Sequence, residues 1–366
     1  MIIANINQKR LRNGTLASAK FSVQGSRNFD NNKKETIAWF HLNRHTHLKG
    51  LGNAFAIAAL PFACALGEDL YIEEEIDQEL LINMLEIVAI YHYYWPSIAK
   101  KINIIGSASN RLYFNDSQRV GSFFSGGIDS LYNIAETRRL HAKYSTPGVT
   151  DLWLMRGMDI RLTNKDLWQQ TSKTLTNIAA NKFLLTTITT NLREIQMGLV
   201  NWTQMGFGSI LGAAAKLMNN ECGTALIGSH SPYPLMEPHA STPLIDPLYS
   251  CRSQIVRHFS ARVSRYEKTE TVVQYAPELL EGLRVCYLNH GGTYNCGVCE
   301  KCLRTQLTLK IINSIISLKT FIKEVSPSAV MKLRLQRNVE KNTCGVFGRK
   351  CVSDFAKKDG VRIIQR

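Results

Sequence analysis

The sequence predicts an α/β protein built on a doubly wound parallel sheet, and three observations carry that reading. A β-prone run, Val120–Phe124, breaks at Ser125-Gly126-Gly127 and passes into a helical pattern from Ile128. From Val120 to Gly228, strand-like and helix-like segments alternate, as parallel βαβ units require. Cys286, Cys296, Cys299 and Cys302 then stand at metal-ligand spacing. At 366 residues the chain exceeds one typical domain. The expected division is an N-terminal α+β accessory domain over 1–115, the sheet domain with its cysteine knuckle over 116–325, and a basic extension over 326–366.

The stretch Val120–Glu136, VGSFFSGGIDSLYNIAE, organises the rest. Leu131, Ile134 and Ala135 fall on one helical face. The physics of such a strand–turn–helix is an anion site. Gly126 and Gly127 allow close backbone approach, and unpaired N–H groups at the helix start, Ile128 among them, point at the ligand. Ser125 and Ser130 add hydroxyls. Asp129 is out of place beside an anion unless it faces a metal ion or a cationic group. No lysine follows at Walker A spacing, which excludes a P-loop of that kind.

Residues upstream read as α+β. Lys20–Val23 and Thr36–Leu42 are strand-like within a polar segment. His41, His45 and His47 read as a surface loop, because no nearby Cys or carboxylate completes a ligand set. Gly52–Leu66 reads as an apolar helix with Phe55, Ala58, Ala59, Phe62 and Ala63 on one face, kinked or bounded at Pro61. An acidic run, Glu68–Glu79, surrounds a short strand Leu70–Ile72; Leu80–Tyr94 is an amphipathic helix and Ile102–Ile105 a strand.

Within the sheet domain, Asp151–Met155 is the second strand, and Arg156-Gly157-Met158-Asp159 follows it. A helix from Thr163 to Ala180, a strand Phe183–Ile188, a helix Gly206–Asn219 and a strand Thr224–Gly228 complete the alternation. A doubly wound sheet takes its ligand at the carboxyl ends of the strands. Ser125–Ser130, Arg156–Asp159, the loop after Ile188, and Gly228–Ser231 should therefore converge. Tyr233–Ser250 holds four prolines and reads as a long loop near the site. Ser264 opens a helix whose Arg265 and Lys268 share a face, fit either for phosphate contacts or for solvent.

The second signal is Asn295-Cys296-Gly297-Val298-Cys299-Glu300-Lys301-Cys302, with Cys286 nearby. C-x2-C spacing lets two sulfurs reach one tetrahedral ion while intervening N–H groups bond the sulfurs. Four thiolates leave no open position, so a structural Zn2+ is expected, with an iron–sulfur cluster as the rival. Cys344 and Cys351 are too widely spaced to join, and Cys64, Cys222 and Cys251 read as core or loop residues.

Charge is uneven. The formal net charge is +15, with nine basic against two acidic residues in Met1–Lys49 and ten against three in Met331–Arg366. Basic ends of this kind serve a nucleic acid or an acidic protein partner, or simply solubility. No nucleic-acid-binding signature favours the first. No run of eighteen apolar residues exists and Met1–Gly14 is polar, so a cytoplasmic chain with no membrane partner is expected. A homodimer is left open.

S-G-G-I-D-S together with the downstream C…C-G-V-C-E-K-C-L-R resembles the 7-cyano-7-deazaguanine synthase (QueC) family of PP-loop ATP pyrophosphatases, over roughly Gly121–Leu318. The resemblance implies a PP-loop, HUP-like sheet of strand order 3-2-1-4-5, with ATP and Mg2+ beside the first strand. It implies adenylation of a carboxylate, release of pyrophosphate, and attack by ammonia toward an amide or nitrile. It implies an ATP site at Ser125, Gly126, Gly127, Asp129 and Ser130; the strand-end reading adds Ile128, Arg156, Gly157 and Gly228 to the nucleotide site, and Ser125, Asp129, Ser130, Arg265 and Lys268 are the candidate catalytic residues. The zinc ligands would be Cys286, Cys296, Cys299 and Cys302. Thr242–Leu248 would face substrate or phosphate. The N-terminal hundred or so residues depart from the compact biosynthetic enzymes, and this looks like a paralogue from a modification or antiphage defence system acting on a 7-deazaguanine-type or other acyl substrate. Ile2 after Met1 leaves no N-terminal cysteine glutaminase, so free ammonia or an acceptor amine is the expected nitrogen donor. A tRNA sulfur transferase and a non-catalytic nucleotide-binding subunit are the alternatives.

Overall fold

The apolar alternation of Leu152, Trp153 and Leu154 shows in miniature how the chain is layered. All three side chains are buried, but Trp153 joins one hydrophobic core while Leu152 and Leu154 join the other. Successive side chains of a strand point to opposite faces, so this strand is covered on both. In the computed structural model, which describes residues 1–29, 33–109, 115–312 and 319–326, it is β7 (Val149–Arg156) of a ten-stranded sheet.

The remaining strands are β1 (Ile2–Leu11), β2 (Gly14–Ser22), β3 (Glu35–Leu42), β4 (Leu70–Asp77), β5 (Ile104–Ser109), β6 (Val120–Phe123), β8 (Leu184–Thr190), β9 (Thr224–Gly228) and β10 (Ile255–Phe259). Their spatial order is β10-β9-β6-β7-β8-β3-β2-β1-β4-β5. The pairs β8–β3, β3–β2 and β2–β1 are antiparallel and the other neighbours parallel. The N-terminal strands thus continue the sheet: Phe40, His41 and Leu42 of β3 pair with Thr190, Thr189 and Ile188 of β8. The polar string Asn5–Arg10 conceals β1 in the sequence, because its outer half alternates between half-buried and exposed positions rather than apolar and polar ones.

Helix α1 (Leu51–Leu66) departs from its expected form. An apolar stripe was expected, yet fifteen of its sixteen residues are buried, so the helix is enclosed on every side. Pro61 lies inside it and does not end it. Full enclosure compensates: Phe55 and Phe62 make edge-on contacts with Phe21 at ring-centroid distances of 6.3 and 6.0 Å. This helix packs on α6 (Phe207–Leu217) and β4. Helix α2 (Gln78–Tyr94) is capped by Asp77, whose carboxylate accepts from the Glu79 and Leu80 N–H groups.

The second core lies on the other face of the sheet. It gathers α3 (Ile128–Tyr144), α4 (Lys165–Ala179), α7 (Arg265–Tyr275) and α8 (Glu300–Ile311), and includes all four knuckle cysteines. A short helix, α5 (Leu192–Gln196), follows β8. Tyr233–Ser250 is a loop with two short 3-10 turns. Among the described residues no helix is long and apolar enough to cross a membrane. The basic tail, with Cys344 and Cys351, lies outside the described residues.

Candidate functional site

The carboxyl ends of β6 and β9 deliver the site. Gly127 starts α3 with extended dihedrals and no side-chain cap, so the first-turn N–H groups of a 17-residue helix face the loop. Gly126 adopts φ +76°, and a Cβ there would lie 2.9 Å from Leu175 and 3.1 Å from the Gly282 carbonyl, so glycine is needed for both reasons. The two hydroxyls are spent on the loop itself. Ser130 Oγ donates to the Gly127 carbonyl at 2.9 Å and accepts from the Ser125 N–H at 3.3 Å, while Ser125 Oγ accepts from the Gly127 N–H at 3.3 Å.

Asp129 does face cations. Arg265 Nη2 donates to its Oδ2 at 2.7 Å and Lys268 Nζ to its Oδ1 at 3.0 Å. Lys268 also donates to the Ser229 carbonyl at 2.5 Å, tying β9 to the cluster. The geometry follows from a capping box: Ser264 Oγ accepts from the Glu267 N–H and the Glu267 carboxylate accepts from the Ser264 N–H. That fixes the start of α7 and sets Arg265 and Lys268 side by side. Burial alone would raise the Asp129 pKa, but Arg265 and then Lys268 outweigh it and hold the carboxyl well below its ordinary range. Burial lowers the Lys268 pKa, opposed by Asp129 and reinforced by Arg265. Lys268 is only 2% exposed against 24% for Asp129, so the pair opens to solvent on the acid's side.

Gly228 packs where it was expected: a Cβ there would lie 3.2 Å from the Asp129 carbonyl oxygen, against the first turn of α3. Arg156 turns away. Its guanidinium donates to the Leu162 carbonyl at 3.1 Å and lies over the Trp168 ring at 5.5 Å, within its own crossover to α4. Gly157 packs against the end of β8, with a virtual Cβ 2.0 Å from the Thr190 carbonyl oxygen. Within Thr242–Leu248, Asp246 points inward. It is fully buried, accepting from Ser241 Oγ and meeting His258 Nδ1, both at 2.7 Å.

The four knuckle sulfurs lie within 4.8 Å of one another and are buried. Cys296 and Cys302 sulfurs are 3.9 Å apart, and those of Cys299 and Cys286 4.0 Å. Zn–S bonds of about 2.3 Å in a tetrahedron place sulfurs roughly 3.8 Å apart, so the spacing suits one zinc-sized ion. The Cys299 N–H donates to Cys296 Sγ at 3.3 Å. The contact between Cys299 and Cys302 lowers the pKa of Cys299 and raises that of Cys302, so one sulfur of the pair holds the negative charge.

Several residues escaped the sequence reading. Asn295 is fully buried and spends its amide completely: Oδ1 accepts from the Val285 and Cys286 N–H groups at 2.8 and 3.1 Å, and Nδ2 donates to the Leu283 and Thr320 carbonyls at 2.8 and 3.2 Å. It bolts the extended segment that carries Cys286 to the knuckle. Arg284 donates its backbone N–H to the Gly126 carbonyl at 2.9 Å, joining that segment to the glycine loop. Nothing in spacing or periodicity reveals such bonds. Asn295→Ala strands four backbone partners, three of them buried, so a loss of about 3 kcal/mol or more is expected, read as a lower thermal midpoint with easier metal removal by chelator. Comparison with protein-family models, curated proteins and solved structures returns no match.

Proposed function

We propose that this chain is an ATP-dependent, AMP-forming enzyme that activates a carboxylate for attack by a nitrogen nucleophile. The observation that carries the reading is Asp129, in the first turn after the Ser125–Gly127 loop, gripped by Arg265 and Lys268. An uncapped helix start and two cations at one strand end make a polyphosphate site. The succession β8-β7-β6-β9-β10 supports it, since in chain order these five strands rank 3-2-1-4-5.

In this reading a substrate carboxylate oxygen attacks the α-phosphorus of ATP, and the α–β bridging bond breaks. The departing pyrophosphate takes both electrons, and Arg265 and Lys268 stabilise the charge that develops on it. The nucleophile's nitrogen then attacks the acyl carbon, AMP leaves, and the nitrogen's proton passes to solvent. No protein nucleophile is needed, and positioning carries the rate. Both Asp129 oxygens are taken by Arg265 and Lys268, so Mg2+ would enter with the polyphosphate and would screen its charge there. The cysteine knuckle, with Zn2+, holds the segment that abuts the glycine loop. The acyl substrate carried over by the resemblance is a 7-deazaguanine-type carboxylate.

The test is product analysis. Purified protein with MgATP, a panel of carboxylates that includes a deazaguanine acid, and hydroxylamine as acceptor should give AMP, pyrophosphate and hydroxamate in equal amounts. ADP and phosphate as the only products would overturn the mode of cleavage.

A further inference from the structure

The cysteine segment touches the glycine loop directly. Besides the Arg284–Gly126 hydrogen bond, the Arg284 Cβ lies 3.5 Å from where a Gly126 Cβ would stand. Cys299 is the residue from which α8 starts, so the metal ligands fix where this 12-residue helix begins. Lys301 and Arg304 follow three residues apart and share a face.

Neither is an ordinary surface cation. Arg304 is 8% exposed, ion-paired to Glu300 at 3.1 Å, and its buried Nε–H has no acceptor. Lys301 is half-buried, with its ammonium over the Tyr287 ring at 4.9 Å. Both lie within electrostatic reach of Arg265 and Asp129, and α8 packs on α7, which carries Arg265 and Lys268. Four cations thus gather from two helices in a partly dry recess, facing the carboxylates of Asp129, Asp159 and Glu300. The buried Nε–H of Arg304, which lacks an acceptor, costs free energy until an acceptor such as a phosphate oxygen reaches it. A spare guanidinium donor beside an open helix start fits a phosphate oxygen.

We propose that Lys301 and Arg304 bind the polyphosphate of the nucleotide, so that the metal knuckle forms one wall of the anion site as well as bracing the loop. This rests on the nucleotide reading above and extends it to residues on the opposite wall. It also gives the knuckle's position a reason: the metal sets the start of α8, and α8 aims the two cations.

The experiment is calorimetric titration of the metal-loaded full chain with magnesium pyrophosphate and with MgATP. Arg304→Gln, Lys301→Gln and Arg304→Lys are compared with the unaltered protein, and metal content and thermal midpoint are recorded for each. A charge-assisted contact to phosphate predicts about tenfold or more weaker binding for Arg304→Gln, a several-fold loss for Lys301→Gln, and partial recovery in Arg304→Lys. Metal content should not change. If the unaltered protein binds both ligands and Arg304→Gln and Lys301→Gln bind within twofold of it, the proposal is wrong and the nucleotide reading stands. If the unaltered protein binds neither, both fall. Should Arg304→Gln fail to fold, the half-buried Lys301→Gln decides alone.

Discussion

Cys299→Ser should lose its metal and its fold together. The four sulfurs belong to the same buried core as α3, α4 and α7, and one ligand fewer leaves a buried thiolate set without its ion. Structural Zn2+ contributes an apparent free energy of about 10–16 kcal/mol in isolated peptides, comparable with or above the roughly 5–15 kcal/mol that holds a typical domain together. The expected outcome is protein recovered in inclusion bodies, or soluble protein without a cooperative thermal transition. Elemental analysis of the unaltered protein should give one zinc per chain. Iron with a visible charge-transfer band would identify a cluster instead, although the close sulfur spacing argues for a single ion over ligands spread across several irons. A metal-free protein that melts normally would remove the structural role altogether.

The second large effect concerns the ion pair at Asp129, and it separates catalysis from folding. Lys268→Met replaces a 2% exposed cation with an apolar chain of similar length and leaves Asp129 paired with Arg265. Asp129 stays compensated, but the Ser229 carbonyl loses its buried donor, so a cost of about 1–3 kcal/mol and a modestly lower thermal midpoint are expected. AMP formation should fall by about 100-fold, the usual effect of removing one preorganised charge from a developing anion. Asp129→Ala is the converse: it leaves two cations facing each other, one of them deeply buried, and should cost about 3–5 kcal/mol of stability. Thermal unfolding and AMP release, measured on both variants, distinguish the roles. Full turnover in Lys268→Met would show that the pair serves only to hold α7 against α3.

The candidate site was legible where its chemistry is local. Ser125–Ser130 and Cys296–Cys302 could be recognised because a glycine turn before a helix, and C-x2-C spacing, constrain the backbone over a few residues. The capping residues Ser264 and Glu267 likewise act within one turn, so the start of α7 could be read directly. Asp129 raised a question, a carboxylate in the first turn of a helix, without its answer.

That answer was tertiary. Arg265 and Lys268 reach Asp129 across 136 and 139 residues, and Arg284 reaches Gly126 across the whole sheet domain. Arg156 had the right place on its strand and the wrong side-chain direction, since Trp168 and the Leu162 carbonyl offered nearer partners. The enclosure of α1 and the union of β3 with β8 also waited for the structure. Periodicity reports that a face is apolar or that a cation lies on a given side of a helix. It carries no information on which distant element will meet that face, because such contacts depend on how the sheet orders its strands. The sequence alone determined the loop, the four-cysteine cluster and the alternation of strand and helix; the packing of α7 and α8 decided which charges meet.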